Sequence, residues 1–155
     1  MPHTSEHFES GAAVVFAESA SLLESLRNDR GHLIGEEPRM IMDDGAAIPG
    51  TVFAAAQAQR QAVEADYLAV FEEQGIDLII APVNPNQPLA HGQVEVDGVP
   101  LLPSTTQFTF PVNGTGLPAI ALPGGFADDG MPIGCQRIGR PFSERTLVAV
   151  GEAFQ

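Results

Sequence analysis

The sequence has 155 residues and a mass of 16.3 kDa, a size that fits one ordinary domain. Its 20 acidic residues against seven arginines give a formal net charge of -13, which disfavours binding to nucleic acids and to anionic membranes. The 155 residues include no lysine, which excludes chemistry that needs a lysine amine. They include a single cysteine, which excludes an internal disulfide. There is no signal-peptide pattern and no apolar run long enough to span a bilayer, so we expect a cytoplasmic protein.

Three helices are predicted in the N-terminal half of the chain. The first covers residues 12–26, where the apolar residues recur at roughly helical spacing at Val15, Leu22, Leu23 and Leu26. The second is short and covers residues 36–45, with acidic residues and a proline in its first turn. The third covers residues 49–74, ends at Gly75, and has an apolar face made of Phe53, Ala56, Val63, Tyr67 and Val70.

The C-terminal half has the pattern of a sheet. Residues 76–82 form a short, nearly continuous apolar run, which is typical of a central strand covered on both faces. A small hairpin is predicted around the Asp-Gly turn at residues 97–98, within a proline-rich stretch. Residues 118–123 and 132–138 predict two further strands, paired antiparallel. A last helix follows, with apolar positions at Leu147, Val148, Val150 and Phe154.

This set of elements leaves the predicted sheet incomplete. A central strand needs neighbours on both sides and helices on both faces, and the chain supplies three or four strands in all. We therefore expect open sheet edges, which either pair with another chain or belong to a larger fold.

Three motifs in the C-terminal half carry a resemblance to a known family. Residues 110–120 read FPVNGTGLPAI, residues 122–125 read LPGG, and residues 130–142 read GMPIGCQRIGRPF. In this order and spacing they resemble the C-terminal third of the amidase signature family. The long predicted helix and the strand at 76–82 are similar to the segment that precedes these motifs in the family.

The resemblance is strong from about residue 45 onward and weak before residue 40. We accordingly divide the chain into an N-terminal helical segment, residues 1–40, and an amidase-like segment, residues 41–155. The fold that the resemblance implies is α/β, a partial mixed sheet flanked by helices, corresponding to the C-terminal part of the amidase α/β/α fold.

Members of this family hydrolyse carboxylic amides or release ammonia from glutamine, using a serine nucleophile, a second serine in a cis peptide, and a lysine base. The 155 residues contain no lysine and no serine pair, so we assign no catalytic residue and expect no amide hydrolysis by this chain alone. The resemblance implies that the chain supplies scaffold and a wall of the substrate pocket. Its predicted partner is an N-terminal amidase half or a second copy of itself, and a small amide binds only in the assembled enzyme.

The alternative is a different class of protein. The chain is then a non-catalytic interaction module, or a truncated remnant, that pairs through an exposed sheet edge. A separately produced partner carrying the lysine and the serine pair would favour the split enzyme over this alternative.

The resemblance also implies which residues face the substrate, namely the stretch from Thr105 to Asn113. Glutamine-using members carry an acid at the position of Thr106, so the threonine favours a neutral or apolar amide. The predicted substrate-binding residues are Thr106, Phe108, Phe110 and Asn113. The two phenylalanines could equally be core residues.

Other combinations of reactive residues predict no site. His3 and His7 have the i, i+4 spacing of metal ligands but lack a third ligand, so we expect no metal and no cofactor. No nucleophile elbow surrounds Ser104, which argues against a triad of His91, Asp97 and Ser104. Cys135 is expected to be a buried, inert thiol with Arg137 as the one cation nearby.

Overall fold

The computed structural model describes residues 4–154 of the chain, with side chains from residue 8. The helices are α1 (Thr4–Leu22), α2 (Glu24–Arg30), α3 (Glu36–Ala46), α4 (Gly50–Gln74), α5 (Leu101–Thr106), α6 (Phe110–Thr115) and α7 (Glu144–Phe154). The strands are β1 (Leu78–Pro82), β2 (Glu95–Val96), β3 (Val99–Pro100), β4 (Ala119–Phe126) and β5 (Pro132–Gly139). None of the helices between residues 4 and 154 is both long and apolar enough to cross a bilayer.

The long helix α4 confirms the prediction for residues 49–74. Gly75 ends it with a φ of 59°, a left-handed conformation that glycine adopts at little steric cost. Its buried residues recur at intervals of seven and four, at Ala56, Val63, Tyr67 and Phe71. This stripe packs against the sheet and forms the main core with Val112, Leu117 and Ile138.

The main sheet has three strands in the order β1-β5-β4, and both pairings are antiparallel. The hairpin of β4 and β5 and the small hairpin of β2 and β3 confirm the predicted antiparallel pairs. The α/β class is confirmed as well. The prediction of a mixed sheet is not met within the described residues, because every strand pairing among them is antiparallel.

The strand predicted to be central is at an edge in this chain. Within residues 4–154, β1 pairs on one side only, with β5, and its other edge has no strand neighbour. Ile79 packs against the core, but the next residue, Ile80, is 66% exposed. The prediction of cover on both faces is therefore wrong for this chain, because no described helix packs over Ile80's side of β1.

Alternation along the strands gives the sheet two faces of different character. Residues opposite one another in register share a face. The face we call the α4 face carries Ile79, Gln136 and Ile138. The opposite face, which we call the α7 face because α7 packs on β4 and β5, carries Ile80, Ile120, Leu122, Cys135 and Arg137.

The N-terminal helices pack on the rest of the chain through residues other than those that the sequence predicted. Helix α1 packs against α3, α4 and α6 and approaches α3 so closely that a side chain at Gly45 would overlap the carbonyl of Phe16. Val14 is the buried residue of α1 among residues 8–22, at 6% exposure. The apolar face predicted for the first helix is wrong as a core face, because its residues are exposed, namely Val15, Leu22, Leu23 and Leu26. The predicted helix is also divided, because α1 ends at Leu22 and α2 begins at Glu24, so these residues do not form one continuous helical face.

One arginine joins the end of β5 to the end of α4. The Nη2 of Arg140 donates to the carbonyl oxygens of Phe71 at 2.8 Å and Ile76 at 3.1 Å, and its Nη1 pairs with the carboxylate of Glu72. Carbonyls at a helix C-terminus lack partners within the helix and favour a positive charge. Arg140 therefore satisfies the end of α4 while fixing the exit of β5.

Candidate functional site

The segment predicted to face the substrate is more regular than a loop. From Thr105 to Asn113 it consists of the end of α5, a turn at residues 107–109, and the first four residues of α6. Hydroxyl groups hold α5 from within, since Oγ1 of Thr105 donates to the carbonyl of Leu101 at 2.8 Å and Oγ1 of Thr106 donates to that of Leu102 at 2.6 Å. Both are bonds from a threonine hydroxyl to the carbonyl four residues earlier, and they hold the two side chains against the backbone of their own helix. The two hydroxyls are thus already bonded within α5.

A buried glutamine on β5 fixes this segment to the sheet. Gln136 is 4% exposed, and its Nε2 donates to the carbonyl oxygens of Pro82 at 3.0 Å and Phe108 at 2.9 Å. Removal of this amide would leave two carbonyls without that partner. Sequence reasoning missed Gln136 as a positioning residue. The available signal was an amide side chain on an otherwise apolar strand face.

The stretch after β1 is attached to the same segment. Nδ2 of Asn86 donates to the carbonyl of Ser104 at 2.8 Å, and Oδ1 of Asn84 accepts from the backbone N–H of Asn86 at 2.9 Å. A groove of about 690 Å³ lies between this stretch and the tip of the β4–β5 hairpin. Its lining includes Pro82, Leu122, Phe126 and Ile133, and none of the four predicted substrate-binding residues.

The four predicted residues lie on one short segment but in different surroundings. Thr106 and Phe108 are half-buried at the end of α5 and in the turn that Gln136 holds. Phe110 packs against α1, with its ring centroid 4.9 Å from that of Phe8. Asn113 is exposed on α6. The structure therefore places Phe108 in the turn that Gln136 holds, with Thr106 just before it, and it places Phe110 in a contact between two helices. The roles of these residues in binding stay predictions.

Among the described residues, the other combinations of reactive side chains are not brought together. The hydroxyl of Ser104 donates to the carbonyl of Leu101 at 2.9 Å, while His91 and Asp97 make no contact with it that would form a triad. Cys135 is half-buried, with Nη1 of Arg137 3.9 Å from its sulfur. No group of three metal-binding side chains occurs in the part of the chain that the structure describes. His3 and the side chain of His7 lie outside that part.

Comparison with known proteins identifies the family. The amidase family model matches residues 3–148. The chain belongs to the amidase family. It is 37% identical over 144 residues to a glutamyl-tRNA(Gln) amidotransferase subunit of Chloroflexus aggregans, covering 90% of this chain and 29% of that protein. It is 34% identical over 142 residues to the subunit of the same name from Geobacter metallireducens, covering 88% of this chain and 29% of that protein.

Solved amidase structures contain the same fold. A structure described as an amidase superposes with a TM-score of 0.84 at 23% identity, covering 96% of this chain and 34% of that one. A vestigial protein complex, described in connection with the origins of an s-triazine catabolic enzyme, gives a TM-score of 0.83 at 26% identity, covering 97% and 34%. This amidase-family chain therefore spans about a third of the length of the proteins it matches.

Proposed function

We propose that this chain is the part of a carboxylic amide hydrolase that builds scaffold and one wall of the substrate pocket. A complementary amidase portion supplies the nucleophile and the base. The observation that carries the proposal is the contact of Gln136 with the carbonyls of Pro82 and Phe108, which fixes the segment proposed as the wall, in a chain without lysine. A pocket wall positions a substrate for groups that attack its carbonyl, which the complementary portion would supply.

Uncovered apolar residues support a complementary portion. Phe126 is 76% exposed and Ile133 is 46% exposed, and both line the groove beside the β4–β5 hairpin. Apolar residues that are exposed together mark surfaces that another element covers. Ile80, which is 66% exposed, adds a single apolar side chain on β1. Relatives of this chain are about three times longer, so they have the residues to cover these surfaces.

The residue at position 106 supports a neutral amide as substrate. By the resemblance, glutamine-using members hold the substrate ammonium with an acid at this position. The hydroxyl of Thr106 already donates to the carbonyl of Leu102 and carries no charge. A buried ammonium opposite it would lack a counter-charge, which is unfavourable. The proposed substrate is therefore an amide without an ammonium group.

The test is reconstitution. The chain is mixed with the portion of the Chloroflexus aggregans protein that lies outside its similar segment, and ammonia release is measured from benzamide and from glutamine. We expect no release by either piece alone and measurable release from benzamide by the mixture. Release by the chain alone, or none by the mixture, would overturn the proposal.

The same assay tests the role of Thr106. In the reconstituted mixture, Thr106→Asp is expected to raise the ratio of glutamine to benzamide turnover about tenfold or more, because a buried charge pair contributes on the order of 1.4 kcal/mol or more. Thr105→Asp is the matched control, since its hydroxyl makes the same kind of bond one residue earlier. An equal change in both variants would remove the assignment of position 106.

A second candidate function rests on the unpaired outer edge of β1. An extended segment of a partner can add to such an edge without any chemistry. In that case the complementary portion binds but the mixture releases no ammonia.

For location we propose the cytoplasm, supported by the half-buried, free Cys135, since a reducing compartment keeps such a thiol unpaired.

A further inference from the structure

An arginine on the α7 face is buried without a carboxylate. Arg137 is 3% exposed, and its Nε has no hydrogen-bond partner. Its Nη1 lies 3.9 Å from the sulfur of Cys135, and its guanidinium lies 3.9 Å from the ring centroid of Phe154. A sulfur and an aromatic face are weak partners for a full positive charge. The structure described for residues 4–154 gives Arg137 no ion pair.

The other arginines with assigned contacts are satisfied. Arg140 pairs with Glu72 and two carbonyls, and Arg27 pairs with Asp43. Burying a charge without a partner is strongly unfavourable, and proteins almost always pair or hydrogen-bond such a group. In a chain with 20 acidic residues, the absence of a described carboxylate at Arg137 indicates that its partner belongs to something else.

The cover over Arg137 stops at the open side of the sheet. Its cross-strand neighbours are Ile120 on β4 and Ile80 on β1. Helix α7 packs over Ile120 at Gly151, while Ile80 is 66% exposed. Phe154, in the last described turn of α7, is itself 50% exposed. A partner that reaches the guanidinium from the β1 side therefore has to displace the Phe154 ring that lies over it.

We propose that Arg137 is the docking anchor for the complementary amidase portion, which presents a carboxylate there together with apolar residues that cover Ile80. This inference rests on the proposed function and names what the partner must carry at one point. A second copy of the chain is a poor occupant, because each copy has a net charge of -13 and two copies repel each other. The partner is therefore a different segment that combines an acid with an apolar flank.

The experiment measures binding rather than activity. The probe is the same complementary portion of the Chloroflexus aggregans protein, prepared in two forms that differ at one residue. This residue is the one that superposition on the whole amidase, with a TM-score of 0.84, brings nearest to the guanidinium; it is alanine in the first form and glutamate in the second. Dissociation constants are determined for the wild-type chain, for Arg137→Met, and for Arg145→Met, an exposed arginine on α7 that controls for net charge.

We expect the added glutamate to tighten binding of the wild-type chain and of Arg145→Met about 30-fold, the ratio that corresponds to a buried charge pair of about 2 kcal/mol. We expect no gain for Arg137→Met. Equal binding of both probe forms by the wild-type chain would overturn the inference and leave the proposed function standing. No binding of either form would overturn both. A concentration-dependent dimer of the chain alone that Arg137→Met abolishes would assign the site to a second copy and overturn the proposal.

A second measurement separates docking from a structural role. Removal of an unpaired buried charge in favour of an apolar side chain of similar length is neutral or stabilising for the isolated chain. Thermal unfolding of Arg137→Met without partner is therefore expected at or above the wild-type midpoint. A lowered midpoint of the isolated chain, with no change in the glutamate gain, would make Arg137 a structural residue.

Discussion

The two faces of the sheet differ in how completely they are closed. On the α4 face, Tyr67, Phe71 and Ile138 are at most 1% exposed, and Arg140 satisfies the end of the covering helix. On the α7 face, Arg137 is buried without a carboxylate, and Ile80 beside it is open. Among the described residues, the chain therefore closes one face of the sheet and leaves part of the other face open.

This difference explains how a third of an amidase fold can hold together. Core packing on one face supplies stability that does not depend on the missing portion. The open face carries the exposed Ile80 and the unpaired charge of Arg137. Another surface would stabilise both, because it would remove Ile80 from water and give Arg137 a counter-charge. Stability and association are thus located on opposite sides of one strand, β5.

The same substitution on both faces of the sheet is the strongest test of the difference between the closed α4 face and the open α7 face. Ile138→Ala is expected to lower the free energy of unfolding by about 2–5 kcal/mol, because the isoleucine is 0% exposed and leaves a cavity. Ile80→Ala is expected to change it by less than about 0.5 kcal/mol in the isolated chain. Urea unfolding at constant protein concentration measures both. Similar losses in the two variants would mean that the α7 face is closed.

Arg137 in β5 and Arg140 just after it provide a second comparison of the two faces. Arg140→Met is expected to destabilise the chain by about 1.5–3 kcal/mol, because it removes charged hydrogen bonds to Phe71 and Ile76. Arg137→Met is expected to have no such cost in the isolated chain. Thermal and urea unfolding of the pair give this contrast directly. It would be contradicted if the Arg137 variant were the less stable of the two.

The smallest expected effect concerns the hydroxyl of Tyr67, which is buried in the α4 face without a hydrogen-bond partner. Burial raises the pKa of Tyr67 from 10.0 to about 12. The folded state holds this proton more tightly than the unfolded state, so the associated stability is complete below pH 10 and falls as pH rises from about 10 to about 12.

Tyr67→Phe is expected to change stability by less than about 1 kcal/mol at neutral pH, since the lost group was unsatisfied. Above pH 10 the variant should retain stability that the wild type loses. Because the chain has one tyrosine and no lysine, few other groups titrate in this range. Unfolding midpoints at pH 8 and pH 11 provide the measurement. Parallel losses in both proteins would show that the hydroxyl is not buried on folding.

Local patterns predicted the elements well and their surroundings poorly. The spacing of Val63 and Tyr67 together with Gly75 predicted α4 and its end, because helix period and a left-handed stop are local properties. The apolar run at 76–82 predicted a strand, but its position at the sheet edge depends on which neighbours the chain contains. The exposure of Val15, Leu22, Leu23 and Leu26 has the same cause, since their spacing predicts an apolar stripe without saying what covers it.

The candidate site divides in the same way. The resemblance predicted that the segment from Thr105 to Asn113 faces the substrate, and an amide on an apolar strand face marks Gln136. No local pattern could reveal that Gln136 holds the turn at Phe108, because the two residues are 28 positions apart along the chain. Nor could sequence predict that Phe110 packs on Phe8, a contact made across two helices.

The sequence by itself determined the family, the helices and hairpins, and the absence of a lysine base among these residues, because each depends on residue identity and short-range spacing. Only the tertiary structure decided that β1 lies at an edge, that one face of the sheet is closed and the other open, and that Arg137 is buried without a carboxylate. These features depend on which distant segments meet, and the interaction of a side chain with its neighbours is settled only when the chain has folded.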